Sequence, residues 1–257
     1  MKCTAILAAV LGAANLALAL PQQSTRNILD CEEPDEAFLE SSRRLGASEQ
    51  LRPRSAAEQY PRVSIDMWLH IFAHSRTEGA SVITQQDTHH LVDVLNNAYR
   101  PANIDFRLMA TTHNLHENDA TMGERFKNGK FPYQICRFPI DYPPGAHQDY
   151  SSDGCGVRYG TLLSTGNIVV HEIGHWLGLP HTFQEGFASG EPDSCGRGHG
   201  DDIADTPTHL KPPNHDDLQC RPVDTCPGLP GPDPVKNYMN YMNEVCMTEF
   251  TEQQRGR

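Results

Sequence analysis

Beyond its first 19 residues the sequence has no apolar stretch long enough to cross a bilayer, which takes roughly 20 residues. Positive charge is scarce too: 21 Lys and Arg stand against 33 Asp and Glu, a formal net charge of −12. That balance argues against nucleic acid or an anionic membrane as a partner, since both select basic surfaces. No Asn-x-Ser/Thr sequon occurs, so N-glycosylation is not expected. Two long segments lack hydrophobic periodicity. Residues 20–60 are polar and charged, with an acidic run from Asp30 to Glu36 and only Phe38, Leu39 and Leu45 to anchor them. They read as a pro-segment or flexible extension and not as core. Residues 183–236 are dense in Gly, Pro and Asp, an irregular run that needs staples.

Residues 1–19 have the build of a secretory signal: Lys2, an apolar run from Ile6 to Leu18, and the small-residue cleavage pattern Ala17-Leu18-Ala19. Export makes disulfides expected. Cys3 would leave with the signal, and of the eight cysteines seven remain: Cys31, Cys136, Cys155, Cys195, Cys220, Cys226 and Cys246. An odd number leaves one thiol over. The four from Cys195 to Cys246 allow three pairings, which sequence alone does not choose between.

At 257 residues the chain holds one sizeable domain plus a short appendage, and the domain is placed at 61–257. Val63 to Ile71 alternates and then runs apolar, as a strand does. Thr84 to Tyr99 carries Leu91, Val92, Leu95 and Ala98 at helical spacing, and Pro101 stops it. Ile104 to Leu108 is a second strand. Strand, helix, strand predicts a βαβ unit and a mostly parallel sheet. His89 and His90, on this helix, read as solvated surface residues.

The richest stretch is His171-Glu172-Ile173-Gly174-His175-Trp176-Leu177-Gly178-Leu179-Pro180-His181, of the form H-E-x-x-H-x-x-G-x-x-H. On a helix running from about Asn167 to Leu177, His171 and His175 project from one face and suit a shared Zn²⁺. Glu172 lies beside them without being a ligand. Gly178 can take the left-handed conformation that ends a helix and brings His181 round as third ligand. Three protein ligands with the fourth position left to water is the catalytic arrangement. The short H-E-x-x-H pattern arises by chance in roughly 4 of 100 such chains, but the added Gly and His cut that to about one in several thousand. A polar amphipathic helix is therefore the weaker reading.

The extended motif resembles the metzincin signature, and H-E-I-G-H-W-L-G-L-P-H-T-F resembles the pappalysin family of secreted metalloproteases, its fungal extracellular members and ulilysin in particular. Asn237-Tyr238-Met239-Asn240-Tyr241, followed by Cys246-Met247 and Phe250-Thr251, resembles that family's Met-turn. These matches run from about Asn167 to Thr251. The resemblance implies an α+β metzincin-like fold: a mixed, mostly parallel sheet, an active-site helix and a loop-rich C-terminal subdomain stapled by disulfides. It implies the pairs Cys195–Cys226 and Cys220–Cys246, with Cys136–Cys155 as a third. It places Met239 as an apolar floor under the metal. It makes Tyr241 either a group that approaches the reaction intermediate or a buried structural tyrosine. Asp153 to Leu163 resembles the edge strand that pairs with extended substrate, or is an ordinary loop strand. Asp201 to Pro207 resembles a calcium loop, with Asp205 and Thr206 as candidate Ca²⁺ ligands, or is an exposed acidic turn.

The expected function is a secreted zinc endopeptidase acting as a monomer on protein or peptide substrates. Zn²⁺ on His171, His175 and His181 activates water, and Glu172 is the general base. A second reading is a secreted zinc-binding module of the same family without turnover, because the sheet between 130 and 135, the approach at 163–167 and the C-terminal end are shorter than in relatives. That shortening predicts a marginal fold. An intact Glu172 disfavours the inactive module. A gluzincin, whose third ligand is a more distant Glu, is disfavoured by His181. Cys31, the cysteine left over, suggests a latency switch on the metal, with an intermolecular disulfide or an idle thiol as the alternatives.

Overall fold

The structure, a computed structural model, describes residues 36–51, 61–73, 83–115, 134–136, 155–157, 164–183, 195, 200–212 and 219–257. The βαβ unit forms as its periodicity predicts. Strand β1 (Val63–Ala73) and strand β2 (Ile104–Leu115) pair in parallel, with helix α2 (Gln85–Tyr99) between them in sequence. Strand β2 runs past the expected Leu108, because the pairing continues to Ala73 opposite Leu115. A register shift between Met67 and Trp68 makes Met109 an extra residue in β2, a bulge that shifts the alternation of β2 by one residue.

Helix α2 starts where Thr84 can cap it. The Thr84 hydroxyl accepts from the Asp87 N–H, and the Asp87 carboxylate accepts from the Thr84 N–H, a reciprocal capping box. Its apolar stripe buries Leu91, Leu95, Ala98 and Tyr99. The turn after Pro101 ends at Asn103, which takes a left-handed φ of 58° that Asn tolerates, and β2 begins at once. The Asn96 side chain then locks helix to strand, accepting from the Phe106 N–H at 2.7 Å and donating to its carbonyl at 3.1 Å.

Two short strands, β3 (Gln134–Cys136) and β4 (Cys155–Val157), pair antiparallel with Cys136 opposite Cys155. Of residues 130–135, expected to be too short for a family strand, Gln134 and Ile135 belong to β3, and 130–133 lie outside the described residues. β4 occupies part of the expected edge strand at 153–163; 153–154 and 158–163 lie outside the described residues. The described strands thus form two separate two-stranded sheets, the longer one parallel and the shorter one antiparallel.

Helix α3 (Asn167–Trp176) carries the H-E-x-x-H stretch and packs by its apolar side on α2. Leu91, Leu95, Tyr99, Phe106, Val169, Val170, Leu179, Met239, Met247 and Phe250 form one buried cluster that joins the βαβ unit, α3 and the C-terminal segment. Burial of that kind contributes roughly 1.5–3 kcal/mol per large side chain, so this cluster fixes α3 against the sheet. The described parts of 183–236 are irregular, as expected, and the disulfides Cys195–Cys226 and Cys220–Cys246 staple this region. Cys155 is also in a disulfide, and its register partner is Cys136. The chain closes with helix α4 (Glu252–Gly256), whose Thr251–Gln254 capping box repeats the chemistry of α2.

Within the segment read as extension, residues Glu36–Leu51 form helix α1. Arg43 and Arg44 pair with Glu40 one turn away, and Arg43 also with Glu36, contacts that support a helix of otherwise weak amphipathicity. The helix is not a free appendage. Ser42 is buried, its carbonyl accepts from the Arg257 guanidinium, and Gly46 sits so close to the Asp202 carbonyl that a Cβ there would overlap it. Small residues at Ser42 and Gly46 give α1 a contact face that hydrophobic counting does not register.

Candidate active site

The end of α3 sets the positions of the three histidines. Leu177 N–H bonds Ile173 O, Gly178 N–H bonds His175 O, and Leu179 N–H bonds Gly174 O. The last two are the paired bonds of a Schellman motif, with Gly178 at φ 94° in the left-handed position. The chain reverses there, and Pro180 and His181 return beneath the helix. His171, His175 and His181 are all buried, and their ligand atoms lie within 4.8 Å of one another.

The protonation pattern follows from the carbonyls around them. His171 Nδ1 lies 2.6 Å from Tyr238 O, and His175 Nδ1 lies 2.8 Å from Leu179 O. A carbonyl only accepts, so each Nδ1 carries the proton and each Nε2 presents a lone pair. Burial holds His171 down to about 4 and His175 well below its ordinary value, so both rings are neutral. Yet the Nε2 atoms of His175 and His171 stand 3.0 Å apart, and those of His175 and His181 stand 3.1 Å apart. The facing lone pairs of His171 and His175 repel at that distance. A cation among them turns the repulsion into ligation, and neutral imidazoles on carbonyl acceptors are the donor set a Zn²⁺-type ion takes. The residues fit a metal. Among the described residues this is the one group of three or more His, Cys, Asp or Glu so arranged.

Glu172 is fully buried on the same helix turn. Its charge is one of the influences that raise the Tyr99 phenol, after burial and Tyr238. Tyr99 therefore stays protonated, and its hydroxyl donates to Val170 O at 2.7 Å, pinning α3 one residue before the first ligand. The Cys155 sulfur of β4 lies 3.7 Å from the Glu172 carbonyl, so the short edge strand abuts the helix at the carboxylate-bearing residue.

Met239 is completely buried under α3, with its sulfur against Gly174. Its carbonyl accepts from the Thr182 N–H at 3.1 Å, directly after the third histidine. Tyr241 packs edge-on to His181, with ring centroids 4.5 Å apart, and 5.9 Å from His171. Lys211 Nζ stands 4.6 Å from the Tyr241 ring centroid, a cation over an aromatic face at the edge of the site.

Asp205 and Thr206 are in the loop before Pro207 and are not part of the histidine group. The Asp205 carboxylate accepts from the Gln253 N–H at 2.9 Å, at the start of α4, and Thr206 N–H bonds Ile203 O. Cys31 lies outside the described residues.

Several residues of the site were not singled out in sequence. Gly174 was a variable position of the motif, although a glycine inside a helix signals a close approach. Thr182 and His209, bonded at 2.8 Å, had no local signal because 27 positions separate them. Asn237 accepts from the Met239 N–H and is held by Gln254, again a pairing only the fold creates.

The histidine geometry can be set beside known proteins. The family model described as pregnancy-associated plasma protein-A, peptidase M43, matches residues 160–257. An extracellular metalloprotease of Colletotrichum graminicola is 32% identical over 225 residues, which span 76% of this chain and 74% of that one. The chain belongs to the pappalysin family. It is a metallopeptidase of the metzincin group, and the resemblance carried by the two motifs holds. Extracellular metalloprotease 1 of Coccidioides posadasii is 30% identical across 95% of this chain and 91% of its own. Among solved structures, promirolysin of Tannerella forsythia superposes with a TM-score of 0.55 at 19% identity, covering 88% of this chain and 91% of that one, a likeness of fold.

Proposed function

We propose that this pappalysin is a secreted zinc endopeptidase that cleaves peptide bonds in protein or peptide substrates, with Glu172 as general base. The observation that carries the reading is the convergence of three buried imidazoles, two of them held by carbonyls with Nε2 facing inward. Zinc held there supplies a Lewis acid that makes water nucleophilic near neutral pH and polarises a carbonyl. The chain's own residues supply the rest. Tyr238 O and Leu179 O keep the ligand rings in one tautomer and orientation. Glu172 takes the proton of the attacking water at its carboxylate and passes it to the leaving amine nitrogen.

Tyr241, packed on His181, is the group proposed to steady the developing oxyanion. Extended substrate is proposed to lie along β4, beside the Glu172 turn. Secretion is supported by the signal-like residues 1–19 and by relatives named as extracellular. Calcium at Asp205 and Thr206 is carried by the resemblance and is tested by calcium titration of the melting temperature.

Casein cleavage tests the function. Activity that a zinc chelator abolishes and added Zn²⁺ restores supports it; cleavage indifferent to the chelator contradicts it.

A further inference from the structure

The described stretch 200–212 packs behind the third histidine through His209. Thr182, directly after His181, is fully buried and is held on two sides. Its N–H donates to Met239 O at 3.1 Å, and its hydroxyl lies 2.8 Å from His209 Nε2. His209 is itself 1% exposed, and its Nδ1 lies 2.9 Å from Leu210 O. A carbonyl accepts only, so His209 Nδ1 is the protonated nitrogen and Nε2 accepts the Thr182 hydroxyl proton. Both polar edges of a buried imidazole are thereby used.

The surroundings of His209 are fixed in turn. The buried Asp233 carboxylate lies 3.9 Å from His209 Nδ1 and holds the Thr225 N–H and hydroxyl at 2.9–3.0 Å. The Thr225 hydroxyl oxygen also accepts from the Leu210 N–H at 2.9 Å. Thr225 is next to Cys226, which is bonded to Cys195. Phe183 completes the arrangement: its ring lies parallel to His181 at 4.9 Å and edge-on to His209 at 6.0 Å. A path of direct contacts therefore runs from the disulfide staple through Thr225, Leu210 and His209 to Thr182, the neighbour of a metal ligand.

We propose that His209 is a positioning residue for the metal site: by accepting the Thr182 hydroxyl it holds the backbone of His181 so that the third imidazole meets the other two. The inference rests on the zinc reading above. His171 and His175 share one helix and need no such help, whereas His181 sits beyond the Gly178 reversal and takes its place from what grips residues 182–183. Residues once removed from a ligand set metal affinity by orienting it, commonly by about 10–100-fold.

The experiment uses the full chain and reads zinc affinity by competition with a chromophoric chelator, together with the visible spectrum of the Co²⁺-substituted protein. Thr182→Val removes one hydroxyl at nearly constant volume. His209→Leu removes the acceptor, whereas His209→Gln retains a carboxamide oxygen that can accept in its place. Thr182→Val and His209→Leu are each expected to weaken zinc by about tenfold and to shift the Co²⁺ bands. The double variant is expected to be no weaker than His209→Leu alone, and His209→Gln is expected to stay within about threefold of the parent. Thr182→Val also provides the reading if His209→Leu does not fold. Unchanged zinc affinity and spectrum in Thr182→Val, with a parent that binds zinc, overturns this inference alone. A parent that takes up no zinc overturns the zinc reading and the inference with it.

Discussion

Met239 leaves no room for a side chain at residue 174: a Cβ built on Gly174 would overlap the methionine sulfur, with the Tyr99 hydroxyl 3.6 Å beyond. Met239 and the helix above it are in contact because one residue between the two helical histidines has no side chain. Gly174→Ala sets two effects in opposition. Helix propensity favours alanine by about 1 kcal/mol, whereas overpacking a closed core costs about 1–3 kcal/mol. Met239 is completely buried and has little room to yield, so net destabilisation is expected, measured by urea unfolding. The loss should shrink in a Met239→Ala background. A stabilised Gly174→Ala protein would contradict the contact.

His181→Ala leaves two ligands on one helix. Zinc affinity is expected to fall at least ~100-fold, beyond what an outer residue contributes. Chelator competition measures it, and full metal content at equal affinity would contradict the three-histidine site.

Asp201 gives the fold a pH dependence. Burial raises its carboxyl to about 7, against the lowering effect of the Ile203 N–H at 3.1 Å. The folded state thus keeps the proton where the unfolded chain has released it. The stability penalty is absent below about pH 4, grows as pH rises and is complete above about pH 7. Its size is on the order of a few kcal/mol. Asp201→Asn is expected to flatten the fall in urea midpoint between pH 5 and pH 8. Parallel pH profiles for parent and variant would contradict a neutral buried Asp201.

Arg257 joins α1 to the domain, donating to Ser42 O and, at 2.9 Å, to Asp201 O. Arg257→Ala is expected to open α1 first, seen as faster proteolysis near Ser42 or faster amide exchange there, with the metal site intact. Unaltered protection of α1 would contradict the docking.

What was legible in the sequence had short range. The capped helix at Thr84, the βαβ order and the spacing that ends in Gly178 and His181 each follow from residues within a turn or two of one another. The two closed C-terminal disulfides match the pairs implied by family resemblance, although spacing alone left three choices. The carbonyls of Tyr238 and Leu179 that orient the ligands are backbone groups with no residue signature. Gly174 against Met239, Thr182 against His209 and α1 against Arg257 join positions 27 to 215 apart, and only folding brings them together. Helix α1 escaped because it docks through Ser42 and Gly46, small residues that apolar periodicity does not count.

The central claim is that Glu172 moves protons while the histidines alone hold the metal. Glu172→Gln keeps the volume and removes the base. The measurement is casein cleavage by that variant, with zinc content determined on the same sample. A fall of about 10²–10⁴ in rate at unchanged zinc content is the result expected. Retained cleavage would contradict Glu172 as the base, and lost zinc would show it to be a ligand.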